Sequence, residues 1–269
     1  MKNKNNIIGQ HDIVFITFDT LRYDVAQGLF NQGETPNLET LLATKGWEKR
    51  HTPGSFTYAA HHAFFAGFLP TPAKAGKHPR LFATKFLGSE TTTENTIVFE
   101  EADIVNGLKN KGYHTICLGG VGFFNKQTPL SKVFPSLFDE SHWSPKFGVT
   151  NPDSTKEQFQ FAAKRLSEIP KDQRVFLFIN LSALHQPNYF YLDGAKEDSL
   201  ESHGAALKYI DSQIPLLVRA ILDRAPAFCI FCADHGTTYG EDGYFGHRLA
   251  HPKVWEVPYS EFFVQGINI

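Results

Sequence analysis

Asp19, His185, Asp234 and His235 carry the first chemical signal in the chain, because each lies at or shortly after the end of an apolar run. Side by side, as in Asp234-His235-Gly236, an aspartate and a histidine can offer a hard oxygen and an imidazole nitrogen to one divalent ion. A turn at a strand end would also select Asp and Gly, so this tripeptide leaves both readings open. Asp19 closes Phe15-Ile-Thr-Phe-Asp19 and reads equally as a ligand or as the cap of a following helix. The segment His51-Thr-Pro-Gly-Ser-Phe-Thr57-Tyr-Ala-Ala-His61-His62-Ala-Phe-Phe-Ala-Gly67 is less ordinary: a Ser/Thr turn feeds a small-residue, apolar helix. A helix N-terminus presents free N–H groups and partial positive charge, which suits a phosphate. Thr57 there caps the helix or acts as a metal-activated nucleophile.

These residues must be positioned by strands. Asp12–Phe18, Val175–Leu181 and Ala227–Ala233 are rich in Phe, Ile and Val without clean alternation, as in strands buried on both faces of a sheet. Helical patterns run from Thr35-Pro36 to Lys45, from Asn95 to Lys111, from Lys156 to Ile169 and from Ser199 to Leu222. Tyr113–Leu118 and Val257–Val264 read as further strands. Alternating strands and helices predict an α/β fold with a mostly parallel sheet, whose ligands bind beyond the carboxyl ends of the strands. The irregular stretches Leu69–Glu94 and Gly119–Ser154 are expected to wall the site.

At 269 residues and a formal charge of -2, the chain reads as one globular domain spanning 1–269, with no basic run for nucleic acid. Met1 to Gln10 is polar, with Lys2 and Lys4, and lacks the apolar core of a signal peptide. No apolar run approaches the roughly 20 residues of a membrane span. The three cysteines form no disulfide framework; Cys229 and Cys232 sit three apart on a strand, on opposite faces, and read as packing rather than a metal pair. The expected compartment is the cytoplasm.

Five segments in order then resemble the alkaline phosphatase superfamily, on the branch holding sulfatases, phosphonate monoester hydrolases and phosphoethanolamine transferases. Phe15-Ile-Thr-Phe-Asp-Thr-Leu-Arg-Tyr-Asp24 resembles the family's opening strand with its metal-binding Asp, and Thr35-Pro-Asn-Leu-Glu-Thr-Leu-Leu-Ala-Thr-Lys-Gly46 the helix that follows. Counting back ten residues from Gly67 lands on Thr57, where sulfatases carry the nucleophile, with His61 in place of their Arg. Leu108-Lys-Asn-Lys-Gly-Tyr-His-Thr-Ile-Cys-Leu-Gly119 resembles the family's Gly-Tyr-x-Thr unit. Asp234-His-Gly-Thr-Thr-Tyr-Gly-Glu-Asp-Gly-Tyr-Phe-Gly-His247, followed by Val254-Trp-Glu-Val-Pro258, resembles its closing motif.

The resemblance implies a three-layer α/β/α sandwich in a compact, alkaline phosphatase-like form. It implies a divalent metal on Asp19, Thr57, Asp234 and His235: zinc, with manganese as the alternative, one ion or two. Two departures separate the chain from sulfatases. Thr57 cannot be converted to formylglycine, and Gly120 and Gly122 stand where sulfatases place a Lys and a His. A Thr nucleophile with Asp/Asp/His ligands instead resembles phosphodiesterases and phosphoethanolamine transferases, which implies a small phosphate ester, a diester first, cleaved through a phosphothreonine on Thr57. His185 and His247, twelve after His235, match two further family histidines that hold the phosphate, protonate the leaving group or bind a second metal. The alternatives are a sulfatase-like hydrolase of sulfate or phosphonate esters and a catalytically silent metal-binding partner subunit. The transferases are membrane-anchored, and no anchor is read here.

Weaker candidates complete the list. Arg22 and Asp24 are expected to pair with each other; His51, His62 and His251 to lie at a rim or in the core; Glu241 and Asp242 to be solvated. Asp211 reads as helix-surface charge or a distant second-metal ligand, and His61 as an added phosphate contact or an exposed residue. Phe123, Phe124, Tyr189 and Phe190 are candidates for an apolar substrate pocket.

Overall fold

The computed structural model describes residues 7–88 and 92–264; Lys2 and Lys4 lie outside the described residues. In chain order the strands are β1 (Asp12–Phe18), β2 (Glu48–His51), β3 (Thr71–Pro72), β4 (Phe82–Thr84), β5 (Ile97–Phe99), β6 (His114–Leu118), β7 (Glu140–His142), β8 (Val175–Leu181), β9 (Ala227–Ala233), β10 (Thr238–Tyr239), β11 (Phe245–Gly246) and β12 (Glu256–Val264). The helices are α1 (Tyr23–Asn31), α2 (Pro36–Leu42), α3 (Thr57–Phe65), α4 (Ile104–Asn110), α5 (Ser154–Glu168), α6 (Leu200–Arg224) and α7 (Pro252–Trp255).

Eight strands form one sheet in the order β3-β2-β12-β9-β1-β8-β6-β7. The run β9-β1-β8-β6-β7 is parallel, and β12 and β2 add antiparallel pairings at one side. The three central strands have the predicted bounds, and every residue in them is buried. Alternate side chains enter two cores, which is why these runs lack polar alternation. Val14, Ile16 and Phe18 face α1, α2, α5 and α6, while Ile13 and Phe15 face α3, α4 and the loops around Phe134. Cys229 belongs to the first core and Cys232 to the second, so the pair is split by the sheet. The architecture is the three-layer α/β/α sandwich.

Two expectations change. The Asn95–Lys111 helix divides: Ile97–Phe99 pairs in parallel with β4, and the helix begins only at Ile104, where the Asp103 side chain accepts from Asn106 N at 2.8 Å. Its apolar spacing served a strand and a helix in succession. Asp211 is neither surface charge nor a metal ligand. It is buried and accepts from Leu38 N at 2.7 Å and Asn37 N at 3.3 Å, capping α2 from α6.

Candidate active site

The parallel pairing of β1 with β9 builds the site. Phe18 is opposite Ala233, so the next residues, Asp19 and Asp234, leave neighbouring strands side by side. The pairing of β1 with β8 sets Thr17 opposite Asn180. Thr57 is the first residue of α3, whose N-cap, Phe56, makes no side-chain capping bond. The Thr57 hydroxyl therefore does not cap the helix. It donates to Asp19 Oδ2 at 3.3 Å and lies 3.3 Å from His235 Nε2.

Asp19, Asp234 and His235 each offer one ligand atom within 4.8 Å of the others, and all three are buried, as is Thr57. His235 has its Nδ1 on Gly236 O at 2.9 Å, which leaves the Nε2 lone pair for the site. Asp234 Oδ1 accepts from Thr20 N at 3.2 Å and His235 N at 3.0 Å. Thr20 has φ +65°, an uncommon conformation for a β-branched residue, and that turn aims its N–H at the carboxylate. The remaining oxygens, Asp19 Oδ1 and Asp234 Oδ2, are buried and have no hydrogen-bond partner in the protein. Burial and the adjacent Asp234 push the Asp19 carboxyl up to about 6, and burial pushes Asp234 up to about 7. Burial also lowers the proton affinity of His235. Two buried carboxylates with orphaned oxygens facing one imidazole lone pair and one hydroxyl make a donor set that suits a divalent cation.

His247 lies beside His235, with ring centroids 4.5 Å apart, and His185 lies 5.7 Å from His247. His185 has its Nδ1 on Gln186 O at 2.6 Å, leaving Nε2 for a ligand. His247 Nδ1 is buried without a partner, and burial and the neighbouring histidines push this ring down to about 3, so it is neutral at pH 7. His61 departs from both earlier readings. It is fully buried beneath the site, bridging Thr57 O at 2.7 Å and Thr17 Oγ1 at 3.0 Å, among Phe64, Phe124, Phe134 and Phe178. Burial pushes it down to about 3, and it fixes the first turn of α3.

Asn180 is a site residue that motif reading missed. Its Nδ2 donates to Asp19 Oδ2 at 3.1 Å and Thr17 Oγ1 at 3.2 Å, while its Oδ1 accepts from Val121 N at 3.1 Å. The available signal was one amide inside the apolar run Val-Phe-Leu-Phe-Ile-Asn-Leu. A Cβ on Gly120 would come within 2.4 Å of Asn180 O, so the backbone there approaches β8 too closely for a side chain.

Arg22 and Asp24 pair at 2.8 Å as expected, and Arg22 also pairs with Glu241, which is therefore not simply solvated. Asp242 is exposed and meets His251 Nε2 at 3.1 Å, while His251 Nδ1 accepts from Lys253 N to cap α7. His51 is exposed against Trp255, and His62 is exposed against Tyr58. Phe124 is a core residue; Phe123 meets Phe56 and Tyr58, and Tyr189 meets Phe190. The first part of Gly119–Ser154 borders the site through Val121 and Phe123. The described part of Leu69–Glu94 instead lines a separate cavity of about 250 Å³ with Arg50 and Tyr259, because it follows α3 away from the strand ends.

The family model described as Sulfatase matches residues 11–261. The chain belongs to the sulfatase family. Its fold is shared with the C-terminal periplasmic domain of the phosphoethanolamine transferase EptC from Campylobacter jejuni, at 12% identity and a TM-score of 0.59, covering 94% of this chain and 79% of that one. The C-terminal periplasmic domain of EptC from Escherichia coli, in complex with Zn, gives 13% identity and a TM-score of 0.60 over 95% of this chain and 73% of that one. A protein of the alkaline phosphatase superfamily from Vibrio parahaemolyticus gives 22% identity and a TM-score of 0.59 over 96% of this chain and 61% of that one. Among curated proteins no match is found.

The cytoplasmic assignment does not stand, because the fold neighbours from Campylobacter jejuni and Escherichia coli are periplasmic domains. Its basis was weak in physical terms: Cys117, Cys229 and Cys232 are all buried packing residues, and such thiols report little about the redox state outside. Among the described residues no helix is long and apolar enough to cross a membrane.

Proposed function

We propose that this sulfatase-family chain is a metal-dependent enzyme that cleaves or transfers phosphate esters, diesters first, through a covalent intermediate on Thr57. The observation that carries the reading is the Thr57 hydroxyl at a helix N-terminus, 3.3 Å from both Asp19 Oδ2 and His235 Nε2. A divalent cation held by Asp19, Asp234, His235 and Thr57 Oγ1, zinc before manganese, would favour the Thr57 alkoxide and offset charge on a non-bridging phosphate oxygen. The zinc complex of the Escherichia coli neighbour supports that choice of metal.

Thr57 Oγ1 forms the bond to phosphorus as the bond to the leaving alcohol oxygen breaks. The hydroxyl proton departs toward Asp19 Oδ2, to which it already donates. His185, entering the step as an imidazolium, delivers its Nε2 proton to the leaving oxygen and regains one from the water or alcohol that attacks next, and neutral His247 steadies the phosphate by hydrogen bonding. Water, or an acceptor alcohol, then attacks phosphorus and releases Thr57. The tight approach of Gly120 to β8 supports phosphate over sulfate, since the position cannot regain the sulfatase lysine without moving the backbone.

The test is metal analysis combined with p-nitrophenyl phosphate monoesters, diesters, phosphonates and sulfates on wild type and Thr57→Ala. Turnover of a diester, lost by about a thousandfold or more in Thr57→Ala, is expected. Equal turnover in the variant refutes the Thr57 mechanism.

A further inference from the structure

Three of the basic side chains around the mouth of the site differ in what neutralises them. Arg22 is held by Asp24 and Glu241, and Lys253 by Asp24. Arg248 is exposed and makes no ion pair among the described residues. Its guanidinium instead rests over the Phe56 ring, 5.4 Å from the centroid. Phe56 immediately precedes Thr57, and Arg248 immediately follows His247, so this cation stands between the two halves of the site.

Its backbone is held there deliberately by local geometry. Arg248 has φ +69°, in the left-handed region that disfavours a long side chain. Its N–H is bound to Ser55 O at 2.9 Å, which ties the His247 loop to the turn before α3. An exposed arginine is ordinary; an unpaired one on a strained, pinned backbone beside buried ligating groups is not. Planar guanidinium suits bidentate contact with a carboxylate or phosphate, and here the ring of Phe56 supports it from one side.

We propose that Arg248 is a specificity residue that selects phosphate esters carrying a second anionic group, a carboxylate or another phosphate, on the alcohol portion. The proposal rests on the phosphate-ester reading of the site. Half-buried Phe56 and Phe123, in contact at 6.4 Å, form the apolar wall along which the linking portion lies. The phosphate at Thr57 and the second anion at Arg248 would thus be gripped from the two sides of that wall.

The test is calorimetric binding to zinc-loaded wild type, Arg248→Met and Arg248→Lys. Two matched pairs of probes are used: phosphoglycolate against ethyl phosphate, and 3-phosphooxypropionate against propyl phosphate. Wild type should bind the carboxylated member of at least one pair about ten- to a hundredfold more tightly, as one charge-assisted contact provides. That ratio should collapse to about one in Arg248→Met and be intermediate in Arg248→Lys, which keeps charge without the fork. A ratio near one in wild type for both pairs, or a ratio that survives in Arg248→Met, overturns the proposal. Failure of the phosphate-ester reading is distinct: neither these four probes nor the diester diethyl phosphate binds, and both inferences fall together, whereas binding of the diester alone overturns only the Arg248 proposal. Urea unfolding of each variant confirms that the fold is retained.

Discussion

Asn180→Ala removes the amide that holds β1, β8 and the loop after β6 in register around Asp19. Val121 N loses its acceptor at 3.1 Å, and a buried, unpaired donor costs about 1–3 kcal/mol. The neutral bond to Thr17 Oγ1 at 3.2 Å contributes about 0.5–1.5 kcal/mol, and Thr17 keeps its partner His61. The bond to the Asp19 carboxylate at 3.1 Å is of the charge-assisted kind, about 1.5–3 kcal/mol when the group is ionised. Because burial favours protonated Asp19 and the three bonds share one side chain, they do not sum. We expect a loss of roughly 3–4 kcal/mol. Urea unfolding followed by the fluorescence of buried Trp47 measures it, and zinc affinity from chelator competition gives a second readout, expected to fall about tenfold or more. A stability loss below about 1 kcal/mol, with zinc affinity unchanged, refutes the assignment of Asn180 as the residue that aims Asp19.

Zinc must displace protons from Asp19 and Asp234, whose carboxyls burial raises to about 6 and about 7, so zinc affinity should climb with pH and level off above that range. An affinity that stays flat from about pH 5 to 8 contradicts this placement of the ligands. Away from the site, burial would raise the Glu140 carboxyl, but hydrogen bonds from Arg165, His114 and His142 win and hold it at about 2 instead of 4.5. Its stabilising contribution is therefore fully present above the unfolded value and lost as pH falls through the folded one, so wild type and Glu140→Gln should differ in urea stability near pH 5 and converge near pH 2.

Sequence alone determined the three central strands and the ordered motifs at their ends, because strands buried on both faces leave an unmistakable apolar signature. It also offered Asp19, Asp234 and His235 directly after such runs, with turn and cap readings still open, and only the ordered family motifs added Thr57 and joined the four into one site. Local pattern could not separate the short β5 from α4, as Ile97, Ile104 and Leu108 keep helical spacing across the boundary that only the Asp103 cap marks. Only the tertiary structure decided the roles of polar residues whose partners are remote in the chain. Asp211 caps a helix 173 residues away, Asn180 reaches Asp19 across 161 residues, and Arg248 is tied to Ser55 through the backbone. A side chain's type states what it can bond to; burial and the parallel register of β1 with β8 and β9 decide what it does bond to.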